Sequence, residues 1–162
     1  MSTLKKGKFK KARQLVSKKL QLTPRNARHL TGEEVAEARA YIERYWKKVE
    51  RFHPKDDESL LGLPKPYLVP SYREKTGFDY NELYYWDSYF MVQGMLDAEH
   101  RELAEGILED LMELFKRFKV IPNASRTYLT GRSQPPFLTT FIFDIYTAYN
   151  PGEKWLQRAI KV

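Results

Sequence analysis

The stretch of sequence that decides how this chain is organised is Glu82-Leu83-Tyr84-Tyr85-Trp86-Asp87-Ser88-Tyr89-Phe90. Aromatic side chains dominate it, and because such side chains bury large areas, the segment is first interpreted as the start of a core helix. Glu82 and Asp87 complicate that interpretation, since a buried carboxylate is costly unless it is paired or hydrogen-bonded. The mixture of acids and rings leaves a second hypothesis open, a ligand site at the rim of a cavity.

A sugar is the kind of ligand that this mixture of side chains would suit. Aromatic rings can cover the apolar C–H faces of a sugar ring, while a carboxylate accepts hydrogen bonds from its hydroxyl groups. On these residues alone the core interpretation is favoured over the sugar site. Other parts of the sequence are needed to decide between them.

The length and composition of the chain narrow the class of protein. With 162 residues, it is long enough for one domain with a proper core. It has no cysteine, which excludes disulfides and thiolate catalysis and is compatible with a reducing compartment. No uninterrupted apolar run reaches membrane-spanning length, and the lysine-rich N-terminus lacks the apolar centre of a signal peptide. The sequence therefore predicts a cytoplasmic protein without membrane contact.

The positive net charge of +7 is concentrated in residues 1–30, which form a predicted basic N-terminal arm. Ten of the 28 Lys and Arg residues lie there, together with none of the 21 acids, so the remaining body carries a charge of −3. Basic arms can bind nucleic acid. This arm lacks interleaved aromatic side chains for base stacking, so a nucleic-acid partner is not favoured.

The hydrophobic periodicity predicts an all-α chain with about five helices, in residues 33–52, 87–98, 101–118, 136–149 and 153–159. Thr31 and Glu34 have the spacing of a capping box at the first helix start. His53-Pro54 is expected to end that helix. In the second helix the side chains expected to face inward are Phe90, Met91, Met95 and Leu96. Residues 55–77 are rich in proline and are predicted to be irregular, with at most a short extended piece.

A second polar loop lies between the third and fourth predicted helices, in residues 120–136. Its amide and guanidinium side chains can donate to adjacent hydroxyls of a sugar ring. These residues are Asn123, Arg126, Arg132, Ser133 and Gln134. Taken alone, the loop is better explained as a segment that satisfies its own backbone.

The histidines show no spacing that would indicate a metal site. His100 is expected to lie exposed in a helix connection. We therefore predict no bound metal and no cofactor.

The two loops together resemble the signature of a known family. Glu82–Phe90 is similar to the aromatic block of trehalases, the glycoside hydrolases that split α,α-trehalose into two glucoses. Ile121-Pro122-Asn123, followed nine residues after Asn123 by Arg132-Ser133-Gln134-Pro135-Pro136, resembles the second block of the same family. The resemblance runs from about Tyr41 to the C-terminus. With it, the site hypothesis replaces the core hypothesis.

The resemblance implies an (α/α)6 toroid, of which residues 31–162 would form the N-terminal part. It also implies an inverting mechanism, in which one carboxylic acid protonates the glycosidic oxygen and a second carboxylate activates water. The residues expected to bind one glucose unit of the disaccharide are Trp86, Asp87, Asn123, Arg132, Ser133 and Gln134.

The sequence departs from the family pattern in two respects. Asp79 occupies the position where the family has an arginine that touches the sugar, so strict specificity for trehalose is not implied. Twelve helices need at least roughly 200 residues, and the family's catalytic acid and base lie beyond the segment that matches here. Glu82 and Asp87 are not expected to replace them. We therefore expect no catalytic residue in the chain and no activity from the 162 residues alone.

Two alternatives follow from these departures. The chain could belong to a six-hairpin hydrolase of another α-glycoside, which Asp79 favours, or be a carbohydrate-binding remnant without catalysis. An isolated arc of a toroid would also expose apolar surface. Self-association or a complementing C-terminal chain is therefore expected.

Overall fold

The computed structural model describes residues 31–96 and 99–161, without the side chains of Lys75 and Thr76. The predicted basic arm, residues 1–30, lies outside the described residues. The chain divides into two compact units, Met1–Tyr41 and Ile42–Val162. In the first unit, Thr31 and Glu34 form the predicted capping box. The Thr31 amide donates to Glu34 Oε2 at 2.9 Å, and the Glu34 amide donates to Thr31 Oγ1 at 3.2 Å.

The described residues form helices with very little strand. Helix α1 spans Gly32–Val49 and leads into strand β1, Glu50–Arg51. The elements that follow are β2 at Tyr67–Leu68, α2 at Arg73–Thr76, α3 at Tyr85–Gln93, α4 at Arg101–Phe118, a 3-10 turn at Thr127–Leu129, α5 at Leu138–Tyr149 and α6 at Glu153–Ala159. The five predicted helices are thus confirmed, with one additional turn of helix, α2, in the irregular region.

A two-stranded antiparallel ribbon ends α1 earlier than predicted. Glu50 pairs with Leu68 and Arg51 with Tyr67. The chain therefore turns from helix to strand at Val49, whereas the sequence predicted helix to residue 52. Local periodicity could not show this, because the partner strand is distant in sequence. Phe52, which the predicted helix would have included, lies beyond the helix and is 60% exposed.

Helix α4 lies at the centre of the core. It packs against α3, α5 and β2. This agrees with its buried residues, which cover more than one side of the helix. The core side chains from these elements are fully buried, and among them are Tyr67, Val92, Leu108, Leu111, Phe141 and Ile145. The irregular region covers one side of this core through Leu61 and Leu63. The core therefore holds α3, α4 and α5 in fixed positions, and the two loops predicted to bind ligand lead into the starts of α3 and α5.

Three predictions about the second helix and the connection that follows it were wrong. Helix α3 ends at Gln93 rather than residue 98, and Phe90 is 56% exposed rather than inward-facing. The buried row of this helix is Tyr85, Ser88 and Val92, at steps of three and four, and Phe90 lies off that row. His100 is not exposed either. Its side chain is 13% exposed, with Nε2 3.0 Å from Glu43 Oε2.

Candidate binding site

Two segments distant in sequence meet at the start of α3. We call residues 82–90 the aromatic segment and residues 121–136 the polar segment. The Ser125 amide donates to the Leu83 carbonyl at 2.9 Å, and the Tyr85 amide donates to the Asn123 carbonyl at 3.3 Å. These bonds form a short antiparallel bridge in which Tyr84 pairs with Ala124. The predicted proximity of the two segments is therefore present in the structure.

Ser125 adds a side-chain bond to this bridge. Its hydroxyl accepts a hydrogen bond from the Leu83 amide at 2.9 Å, and the residue is fully buried. Leu83 is thus held by Ser125 through both its amide and its carbonyl. Nothing in the sequence singles out this serine, because its partner lies 42 positions away.

Gln134 joins the polar segment to the first turn of α3. Its Oε1 accepts a hydrogen bond from the Trp86 amide at 2.9 Å, one of the amides that have no partner within a helix. The two Nε2 donors of Gln134 are not used in that bond. The Asn123 amide donates to the Arg132 carbonyl at 2.8 Å and closes the loop. In addition, Tyr85 Oη accepts from the Leu138 amide at 2.7 Å, which ties α3 to the start of α5.

The six predicted site residues therefore share one region. The Trp86 side chain is 40% exposed, Arg132 and Ser133 are exposed, and Asp87, Asn123 and Gln134 are half-buried. Within the described part of the chain, the side chains of Asp87 and Arg132 form no ion pair or hydrogen bond with protein groups. A tryptophan face beside a carboxylate, amides and a guanidinium can bind a small neutral molecule that carries several hydroxyl groups.

Glu82, in contrast, has its carboxylate occupied by protein groups. It is 5% exposed. Tyr84 Oη donates to its Oε1 at 3.0 Å, and the Arg126 Nε and Nη2 groups donate to its Oε2 at 3.2 and 3.1 Å. Burial of Tyr84, together with this carboxylate, raises the pKa of the Tyr84 phenol. Glu82 is therefore bound by protein groups through both carboxylate oxygens, and we assign it to the structure of the site rather than to the ligand.

Arg126 lies apart from the other polar side chains of its loop. The sequence grouped it with Asn123 and Arg132, but its guanidinium is directed to Glu82 and to Ser59 Oγ, at 3.0 Å. The sequence did indicate that Glu82 would need a partner, because an acid that is buried among aromatic side chains needs a cation. The sequence could not show which cation would reach it.

Asp79, the departure from the family pattern, is paired with a nearby cation. Its Oδ2 lies 3.0 Å from Arg73 Nε, and both side chains are largely exposed. Arg73 begins the short helix α2, six residues before Asp79. The negative charge of Asp79 is therefore compensated by Arg73, six residues earlier in the chain.

An aromatic cluster continues from Trp86 along α3. The rings of Trp86 and Phe90 meet edge to face with their centroids 6.1 Å apart, and Tyr89 stacks on Phe137 at 4.6 Å with an interplanar angle of 11°. Tyr89 Oη donates to Asp144 Oδ2 at 3.1 Å. The cluster fixes the start of α3 against the start of α5. The Trp86 ring contacts this cluster through Phe90.

The structure gives no indication of a metal centre or a membrane span in the part of the chain that it describes. Those residues contain no group of three or more His, Asp or Glu side chains that could hold a metal ion. None of their helices is long and apolar enough to cross a membrane.

The helical fold agrees with the helical-toroid glycosidase class that the sequence resemblance implies, and a fold alone does not imply a function. A family model described as Trehalase matches residues 4–161, so the chain belongs to the trehalase family. That match extends further toward the N-terminus than Tyr41, where the motif resemblance began.

Individual relatives agree with this assignment. The chain is 38% identical over 125 residues to a probable trehalase from Oryza sativa subsp. japonica, covering 71% of this chain and 21% of that protein. It is 38% identical over 106 residues to a periplasmic trehalase from Xanthomonas axonopodis pv. citri (strain 306), covering 64% of this chain and 18% of that protein.

A solved structure is also similar, that of a neutral trehalase from Saccharomyces cerevisiae. The two chains share 32% identity with a TM-score of 0.51, and the match covers 69% of this chain and 19% of the yeast chain. The predicted fold class, an all-α partial (α/α)6 toroid, is confirmed by this similarity. The chain spans about a fifth of the length of the relatives it matches.

Proposed function

We propose that the chain supplies the sugar-binding loops of a glycoside hydrolase that converts α,α-trehalose to glucose with inversion. The observation that carries the proposal is the hydrogen bond from the Trp86 amide to Gln134 Oε1 at 2.9 Å. It brings the aromatic and polar segments to one place, as a sugar subsite requires. The names of the relatives support trehalose as the substrate.

Each of the six residues has a role in this proposal that suits its chemistry. The Trp86 ring covers an apolar face of one glucose, and Asp87 accepts hydrogen bonds from its hydroxyls. Asn123 and Gln134 donate and accept through their amides, Arg132 donates from a fixed fork and Ser133 contributes a hydroxyl. The unpaired state of Asp87 and Arg132 among the described residues supports their assignment to ligand.

The catalytic pair, in this proposal, lies outside the 162 residues. Inversion requires two carboxyl groups on opposite faces of the sugar, about 6.5 to 9.5 Å apart. Glu82 is committed to Arg126, which leaves Asp87 as a binding residue without a partner acid. The remaining helices would come from a further segment or a complementing chain, or self-association would cover the exposed faces of Phe90 and Phe143. No role for nucleic acid or a membrane is proposed.

The compartment that we propose is the cytoplasm. The absence of cysteine is compatible with a reducing compartment. Fractionation of cells that make the protein tests this proposal, and recovery in a periplasmic fraction would contradict it.

Hydrolysis of another α-glycoside is the second candidate function. The Arg73–Asp79 pair favours this candidate. The family has an arginine where this chain has Asp79, and here the negative charge of Asp79 lies beside the positive charge of Arg73. A complete protein that carries this segment should then hydrolyse another α-glucoside faster than trehalose. Faster hydrolysis of trehalose would reject this candidate.

The first proposal is tested by titrating the purified chain with trehalose in a calorimeter. We expect binding, and we expect Trp86→Ala to weaken it by roughly tenfold or more, since an aromatic platform carries much of such a site's affinity. Tyr128→Ala is the control, because Tyr128 is 68% exposed and lies outside the six residues. Absence of binding, or equal weakening by both substitutions, would contradict the proposal.

A further inference from the structure

A largely buried ion pair, formed by Glu82 and Arg126, lies next to the candidate binding site. The side chains of Glu82 and Arg126 are 7% and 21% exposed, and their closest atoms are 3.1 Å apart. The Asn81 amide also donates to Glu82 Oε2, at 3.3 Å. Both charges are therefore largely removed from water, and each depends on the other for compensation.

Arg126 joins three segments of the chain at this point. Its Nε and Nη2 donors reach Glu82 in the aromatic segment, and its Nη1 donor reaches Ser59 in the irregular region. Its backbone forms a bridge with Leu60, and the next residue, Thr127, donates its amide to the Ser59 carbonyl at 2.8 Å. A planar guanidinium with several fixed donors is suited to such a contact, whereas an ammonium group is not.

The pair stands beside the bonds that set the geometry of the site. Glu82 precedes Leu83, which bonds to Ser125, and Arg126 follows Ser125. Trp86 lies four residues beyond Glu82, and Asn123 lies three residues before Arg126. A shift of either charged residue would therefore move Trp86 relative to Asn123 and Gln134. Each charged group is hydrogen-bonded to the other, so neither is assigned to the ligand.

We infer that Glu82 and Arg126 are positioning residues, which fix the distance between Trp86 and the polar segment without touching the sugar. The inference rests on the proposed function of the six binding residues. In enzymes, a misplacement of positioned groups by about 1 Å can lower the rate by about 100-fold, and we expect a smaller loss in ligand affinity here. The site should therefore be sensitive to this pair although ligand never reaches it.

The test uses the full 162-residue chain with Trp46→Phe and Trp155→Phe, so that Trp86 alone reports fluorescence. Arg126→Ala and Glu82→Gln are each expected to shift the emission of Trp86 without sugar and to weaken trehalose binding by roughly tenfold. Arg126→Lys should recover part of the affinity, because one ammonium cannot contact Glu82 and Ser59 together. The double variant Glu82→Gln/Arg126→Ala should lose no more than either single variant, since both remove one interaction.

Arg117→Ala is the matched control. Arg117 is 28% exposed and also joins a helix to an acid and a carbonyl of the irregular region, with Nη2 2.8 Å from Asp56 Oδ2 and Nη1 3.1 Å from the Gly62 carbonyl. It should lower stability and leave the emission of Trp86 and the trehalose affinity unchanged. Far-ultraviolet circular dichroism checks that each variant is folded at the temperature used.

The outcomes separate this inference from the proposed function. If the parent chain binds no trehalose but the two substitutions still shift the Trp86 emission, the proposed function fails and the positioning role holds. If folded variants keep the parent emission and affinity, or if Arg117→Ala produces the same changes, the positioning role is wrong. A fully additive double variant would also overturn it.

Discussion

At the level of single residues, the surroundings of each carboxylate decide its role. Glu82 is buried against Arg126, Asp87 is half-buried without a protein partner among the described residues, and Asp110 is fully buried in α4. Asp110 Oδ1 accepts from the Lys65 amide at 3.0 Å, while its Oδ2 has no hydrogen-bond partner. Burial raises the pKa of Asp110 to about 8, and neighbouring Glu109 and Glu113 act in the same direction. The protonated acid is therefore the form that suits the folded protein at this position.

Asp110→Asn should consequently change how stability depends on pH. In the parent protein the unfolded chain loses this proton at about pH 4, whereas the folded chain keeps it until about pH 8. The stability contributed by the protonated form is thus fully present below about pH 4 and is lost as the pH rises to about 8, by up to about 1.4 kcal/mol per pH unit. The asparagine amide can still accept from the Lys65 amide, and it does not ionise. Urea unfolding at pH 5 and pH 8 should show a smaller loss of stability in the variant, and an identical loss in both proteins would contradict the raised pKa.

At the level of elements, hydrophobic periodicity predicts the interior of a helix, but it does not predict the loops or the end of every helix. Helix α4 was predicted with its observed bounds, because its stripe is continuous and its ends are local. Helix α1 ended early, because β1 pairs with a strand that local sequence cannot indicate. The irregular region is fixed by similar distant contacts. Gly62 is an example, since a Cβ at this position would lie 2.5 Å from the backbone carbon of Lys55 and 2.7 Å from the Asp56 nitrogen.

Gly62→Ala should destabilise the protein by about 2 kcal/mol or more, because backbone atoms cannot move aside as a flexible side chain can. The Gly62 amide also donates to Asp56 Oδ1 at 2.7 Å, and that bond would be displaced. Gly131→Ala is the control, since nothing lies within 4 Å of its Cβ position. Chemical unfolding of both variants measures the difference in the free energy of unfolding. If Gly62→Ala and Gly131→Ala are equally stable, the loop around Gly62 moves to accommodate the added methyl group and the prediction is wrong.

At the level of the whole molecule, the chain corresponds to one part of a larger fold in its relatives. It spans about a fifth of the length of its relatives, and large apolar side chains such as Phe90 and Phe143 are more than half exposed. The core around α4 is nevertheless formed from side chains within the chain.

The purified chain should release no glucose from trehalose beyond background. Hydrolysis with inversion requires two carboxyl groups. Among the described residues, the candidate site has Asp87 without a second unpaired carboxylate, because Glu82 is paired with Arg126. A glucose-release assay checks this, with Trp86→Ala purified in parallel to reveal any contaminating host trehalase. Sustained turnover that disappears in Asp87→Asn would show that the chain carries catalysis itself.

The sequence by itself determined the helical class, because apolar side chains at steps of three and four can bury one face only as helices. It also determined the family, because the two blocks keep their residue types and their spacing. The roles of the six binding residues remain predictions. The tertiary structure decided which groups meet, such as Gln134 with the Trp86 amide and Arg126 with Glu82. The physical reason is that hydrogen bonds and ion pairs between residues more than 40 positions apart depend on how the helices pack, and periodicity carries no information on that.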